Sequence, residues 1–229
     1  MGVRMAEVGM TGPVTEGAEP ISGVIAALVL PSPPMQLPEY VGAADPAAAI
    51  RERSAAALAD LLARHPKAQV VVVSGRERAA RHTKGSVGER VGRLLLAQVG
   101  WAGSVRSVDL PFDACPDEIE AAVAAVAGVP ASATVLLIPA DLSAKRTEKA
   151  PRHLDPRAAA VDDGVLAALA SGDDAALRAL DPALCADLWL TGWAALQVLA
   201  RCLPQPGSAR VVWSGDPYGV LYVLARWGR

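Results

Sequence analysis

The sequence predicts an α/β domain with a mainly parallel or mixed central sheet and helices on both faces. Three observations carry this. Apolar strand-like runs alternate with helical patterns. Val70 to Val73 is an unbroken valine run, the β-branched mark of a strand buried on both faces. Near the end of the chain, two apolar runs flank a Gly-Asp-Pro-Tyr-Gly turn cluster and read as an antiparallel hairpin.

Taken in order, Ile21 to Leu30 is an apolar strand that stops at Pro31. Asp45-Pro46 signals an N-cap and first turn for a helix to about Arg64, before Pro66. The valine strand follows. Ser86 to Gln98 is a helix with Gly100 just beyond it. Ser104 to Val108 is a short strand, and Pro116-Asp117-Glu118 opens a helix to about Ala127. Ala133 to Ile138 is another buried strand. Asp141 to Pro156 is a long polar, basic loop. Helical patterns then cover Ala158 to Ala170, Asp173 to Ala179 and Pro182 to Arg201, the last capped by Asp181. Ala209 to Trp213 and Val220 to Ala225 are the hairpin strands, expected at a sheet edge, with Gly219 permitting the bend.

Of the 229 residues, 52% are hydrophobic and 20% charged, which supports a sizeable core. The formal net charge of -2 is spread over both signs, and aromatics are only 4%, so neither nucleic acid nor a membrane surface is an expected partner. No apolar stretch is long enough to span a bilayer. Cys115, Cys185 and Cys202 are distant from one another and not paired as CxxC, so each is expected to be a small buried residue in a reducing compartment. The first twenty residues lack a signal-peptide pattern and are expected to be a disordered tail before one domain over residues 21–229. A cytoplasmic location follows.

In such a sheet, ligands sit beyond the carboxyl ends of the strands. Three loops qualify: Pro31 to Pro38, Ser74 to Gly85 and Ala140 to Pro156. They carry Leu30-Pro31-Ser32-Pro33-Pro34, Val72-Val73-Ser74-Gly75-Arg76 and Ala140-Asp141-Leu142-Ser143. Asp155-Pro156-Arg157, Leu180-Asp181-Pro182, Thr191-Gly192 and Asp216-Pro217-Tyr218-Gly219-Val220 follow. In this order, over about residues 22 to 227, the set resembles the LigB-type class III extradiol dioxygenases, and looks like their stand-alone actinobacterial members, which implies a Memo-like fold.

The resemblance implies Fe(II) held by two His and one Glu, with a further His as acid/base. Such a facial triad leaves coordination positions open for a catechol and oxygen. This sequence departs from that pattern at each position. Ser32 and Arg76 stand where the metal-binding histidines belong, Ala144 where the acid/base His belongs, and Leu190 where the Glu belongs. Arginine is a permanent cation with no lone pair to offer a metal. No cofactor is therefore expected, and Fe(II) only if the family activity is retained.

Other candidates have competing readings. His65 at a helix end interacts with the helix dipole. His82 and His153 are either exposed loop histidines or, with Glu77 or Glu148, a relocated metal triad. Arg76, Arg78, Arg81, Lys84, Lys145, Arg146 and Lys149 form either a salt-bridged rim or an anion pocket. Glu148 is either a loop ion-pair partner or a general base. Asp216 and Tyr218 belong to a turn with a packing role. Ser32 and Ser74 lack a sequence partner for a hydrolase triad. Trp189 and Trp193, spaced i and i+4 on one helix, form a core or interface stripe, and Trp227 packs at the sheet edge.

Three functional readings remain open. The first is a LigB-like protein without ring-cleavage activity, or a structural and protein-interaction relic. It binds a small anionic or aromatic ligand through Ser32, Arg76, Asp141, Ser143 and Arg146, or else a protein partner. The second is a metal-independent enzyme using Arg76 with Lys145, Glu148 and His153. The third is an active dioxygenase whose ligands lie elsewhere. The resemblance also admits a homodimer.

Overall fold

Val70 to Val73 lie in a strand, β2 (Gln69–Arg76), and all four side chains are fully buried. The computed structural model describes residues 23–42, 44–78, 85–129 and 133–229. The tail at 1–20 and the candidates Arg81, His82 and Lys84 lie outside them. The other described strands are β1 (Val24–Leu30), β3 (Val105–Pro111), β4 (Thr134–Pro139), β5 (Ser208–Gly215) and β6 (Tyr222–Gly228). They form a six-stranded sheet in the order β3-β2-β4-β1-β6-β5. Strands β1 to β4 pair in parallel, whereas β6 is antiparallel to both β1 and β5.

Strand side chains alternate between two cores, because successive residues point to opposite faces. Leu28, Leu30, Val70, Val72 and Leu137 pack beneath helices α1 (Ala48–Arg64) and α2 (Val87–Gln98). Val29, Val71, Val73, Leu136 and Ile138 face the opposite layer, built from α3 (Pro116–Ala127), α4 (Ala158–Ser171), α5 (Asp174–Arg178), α6 (Pro182–Asp187) and α7 (Trp193–Cys202). Each fully buried Val or Leu contributes roughly 1.5–3 kcal/mol, so a polar substitution at one of these apolar positions would be costly. Helices thus cover both faces of a mixed, mostly parallel sheet, as expected.

Capping fixes where several helices start. Ser86 accepts the Glu89 N–H at the head of α2, and Asp181 accepts from Ala183 and Leu184 at the head of α6. Asp45 does not cap α1: the helix starts at Ala48, and the Asp45 carboxylate pairs with Arg51 instead. Cys185 and Cys202 are buried, but Cys115 is exposed at the head of α3. Only β5 of the hairpin is an edge strand. Trp227, on β6, is interior rather than at the sheet edge, and its Nε1 donates to the Leu169 carbonyl on α4 at 2.9 Å.

The expected helix from Pro182 to Arg201 is two helices. Helix α6 ends in a Schellman turn: the Leu190 N–H donates to the Cys185 carbonyl, and the Trp189 N–H to Ala186. Trp189 occupies the left-handed position, at φ 53°, where glycine is usual. The chain breaks there because Thr191-Gly192 must settle onto the strand ends. Gly192 N–H donates to the Asp141 carbonyl at 2.9 Å. A Cβ on Gly192 would stand 2.6 Å from Ala140 Cβ, so only glycine fits.

Gly192→Ala should therefore cost about 1–3 kcal/mol in urea unfolding, the usual penalty for overpacking. Gly164→Ala, on an open face of α4, should gain about 0.5–1 kcal/mol. Equal effects at the two positions would contradict this account of the break.

Candidate functional site

The parallel strands deliver their following segments to one end of the sheet. Ser32 follows β1, Arg76 ends β2, and Asp141 and Ala144 follow β4. All four line one cavity of about 480 Å³. Its walls are mainly apolar: Pro33, Pro34, Met35, Phe112, Leu142, Pro151, Trp189 and Val220, with Tyr218 and Tyr222 from the hairpin side. The exposed Glu77 and the α2 cap Ser86 complete the lining on the β2 side.

Two groups set the electrostatics. Among the described residues, Arg76 is the only Arg or Lys on this wall, and no salt bridge neutralises it. Asp141 sits within the fold, with part of its surface open to the cavity. Its Oδ1 accepts the Ser32 backbone N–H at 2.7 Å. Burial pushes its pKa up to about 7, against the opposing pull of the Ser32 hydrogen bond. Tyr222, which bridges to Asp141 across the backbone, has its phenol pushed up by burial and by the neighbouring Asp141 charge. At neutral pH the cavity thus holds a fixed cation and a carboxyl near its titration midpoint, with the exposed Glu77 as the other acid on its lining.

The remaining candidates are placed elsewhere. Ser143 is fully buried and does not line the cavity. Its N–H donates to Asp162 and its Oγ to the Leu188 carbonyl, both at 2.9 Å. Arg146 is likewise committed to scaffolding, with ion pairs to Asp162 (3.5 Å), Asp163 (2.9 Å) and Asp216 (3.6 Å). These contacts tie the 141–156 loop to α4 and to the hairpin turn, and so hold Asp141 in place. Leu190 is fully buried outside the cavity. Arg78 pairs with Asp113 and Glu118, as a salt-bridged rim would.

Lys145, Glu148 and His153 do not meet Arg76 in the main cavity. They line a second, outer basin of about 790 Å³ with Arg152. Ser74 Oγ bonds to Ser86 and Asp109, and has no histidine partner among the described residues. His65 forms the C-cap of α1. Gly219 adopts φ +78° in the hairpin turn. Tyr218 does more than pack there: its hydroxyl donates to the Pro46 carbonyl, and its side chain lines the cavity.

Sequence reasoning missed an aromatic partition. The Trp189 and Phe112 rings lie 5.3 Å apart, and the Arg152 guanidinium sits over Trp189 at 3.4 Å from its centroid. Nothing in the local sequence marks Trp189 as other than helical, so its exit from the helix follows only from tertiary packing.

The fold and site together define an α/β protein with one mainly apolar crevice at the carboxyl ends of parallel strands. No protein-family model matches the chain, and no curated protein matches it. Among solved structures it is similar to an uncharacterized protein from Escherichia coli K12, at 13% identity and a TM-score of 0.40, over 89% of this chain and 100% of that one. Among the described residues, no group of three or more His, Cys, Asp or Glu is placed to hold a metal ion.

Asp141 makes stability depend on pH in a definite direction. Its folded pKa is raised, so between about pH 4 and 7 the unfolded chain has lost a proton that the folded protein keeps. Stability therefore falls as pH rises through that window and levels off above it. Asp141→Asn should remove this loss, gaining roughly 2–4 kcal/mol over the parent at pH 8 relative to pH 4. Urea unfolding at the two pH values checks this, and a pH-independent difference would contradict the burial of the carboxyl.

Proposed function

We propose that the protein is a LigB-like binding protein whose crevice takes a small aromatic carboxylate, and that it does not cleave rings through iron. The carrying observation is that Ser32, Arg76 and Ala144, which the resemblance aligns with metal and acid/base histidines, line one cavity. Three of the four departures from the family pattern therefore fall together in one place, and Leu190 is the exception.

The donor set does not fit Fe(II). A serine hydroxyl is a weak ligand, Ala144 offers no donor, and Arg76 repels a cation. The same set suits an anion. A guanidinium fork pairs bidentately with a carboxylate, while flat apolar walls take an aromatic ring. A near-neutral Asp141 carboxyl adds a hydrogen-bond donor without adding full negative charge.

Asp141 also favours a second reading, in which a carboxyl titrating at about 7 transfers a proton to a bound substrate without metal. Lys145 and Glu148 lie in the outer basin, so that chemistry would rest on Asp141 rather than on them.

Calorimetry with benzoate tests the first reading. Benzoate should bind with a dissociation constant between micromolar and millimolar, and Arg76→Ala should weaken it about tenfold or more. Affinity should fall as pH rises through about 7, because Asp141 then ionises beside the ligand, and Asp141→Asn should lose that dependence. Protein incubated anaerobically with Fe(II) should give no ring-fission product from catechol when oxygen is admitted. Stoichiometric iron with catechol cleavage would overturn the proposal.

A further inference from the structure

The partition between the two cavities has an unusual backbone. Trp189 occupies the left-handed position of the Schellman turn at φ 53°. A non-glycine residue there costs about 1–2 kcal/mol, and glycine would remove that cost. Strain of this kind persists where the side chain itself is needed. Trp189 lines both cavities, Phe112 only the inner one and Arg152 only the outer one. The three stack in that order across the boundary. Pro151 also borders both spaces, so they are neighbours along one path.

The outer basin is basic on balance. Lys145, Arg152 and His153 face it with one carboxylate, Glu148. No salt bridge joins Lys145 or Arg152 to an acid among the described residues. Asp155 lies near enough to feel the Lys145 charge, but is itself bridged to Arg157 at 2.8 Å.

We propose that the outer basin is a second anion subsite, so that the ligand is an aromatic acid carrying a second anionic group, with Trp189 and Arg152 as the collar between its two ends. This rests on the inner-pocket reading above for one end of the ligand and adds the other. Arg76 takes the inner carboxylate. The ring lies against Phe112 and Trp189. The distal acid meets Arg152 and Lys145. A stacked guanidinium keeps its edge donors available, so Arg152 can hold the tryptophan and the anion together.

The test is calorimetry with benzoate, terephthalate and the longer para-carboxyethylbenzoate, each diacid beside the methyl ester of its distal acid. At least one diacid should bind about tenfold more tightly than its ester. In Lys145→Gln and in Arg152→Gln that ratio should collapse toward one. Lys145→Gln leaves the tryptophan stack untouched, so its result does not depend on the collar's integrity. If benzoate binds through Arg76 but neither diacid gains over its ester, or the gain survives both substitutions, the outer subsite is refuted and the inner pocket stands. If a diacid's gain needs Lys145 and Arg152 but Arg76→Ala changes nothing, the inner reading fails alone. If no probe binds, both fail.

Discussion

Gly192 lies so close to Ala140 that no side chain fits between them, and its N–H is bonded to the Asp141 carbonyl. The rest of the crevice depends on this contact. It brings the segment between α6 and α7 onto the end of β4, which forces α6 to stop early. Stopping α6 places Trp189 in a left-handed turn and aims its indole across the strand ends. Gly75 makes the same demand from β2, where a Cβ would stand 2.4 Å from the Thr191 carbonyl oxygen. The position of Trp189 between cavity and outer basin thus follows from these close backbone approaches.

The chemistry of the crevice follows from what its walls can solvate. Arg76 keeps its charge in any environment. Asp141 does not, because burial favours its neutral form. The crevice thus sets a permanent cation near a carboxyl that readily takes a proton, with Glu77 the other acid on its lining. Below it, Asp162 is fully buried and still bonded to Ser143 and Arg146, with burial pushing its pKa up to about 6. Breaking a buried pair of this kind typically costs several kcal/mol, about 3–5 where one partner is removed. Arg146 is therefore best understood as a strut for the loop that carries Asp141 and Ala144.

Much of the fold was legible because parallel strands buried on both faces leave continuous apolar runs, as at Val70 to Val73 and Val135 to Ile138. The convergence of Ser32, Arg76, Asp141 and Ala144 was legible for a related reason: parallel strands bring their following loops to one end of the sheet. The break after Asp187 was not legible. Leu188-Trp189-Leu190 reads as helix, and its exit is dictated by Ala140 and Gly75, both far away in sequence. The partners of Arg146 were hidden likewise, since Asp162, Asp163 and Asp216 come from α4 and a hairpin turn. Short-range pattern showed where cations gather, but not which of them the fold had already neutralised.

The central claim is that a fixed protein cation in this crevice receives an aromatic carboxylate. A crystal structure of the protein grown with terephthalate tests it most directly. The account predicts one carboxylate about 3 Å from the Arg76 guanidinium, with the ring against Phe112 and Trp189. A crevice that excludes the ligand, or a ring bound with its carboxylates turned away from Arg76, would contradict it.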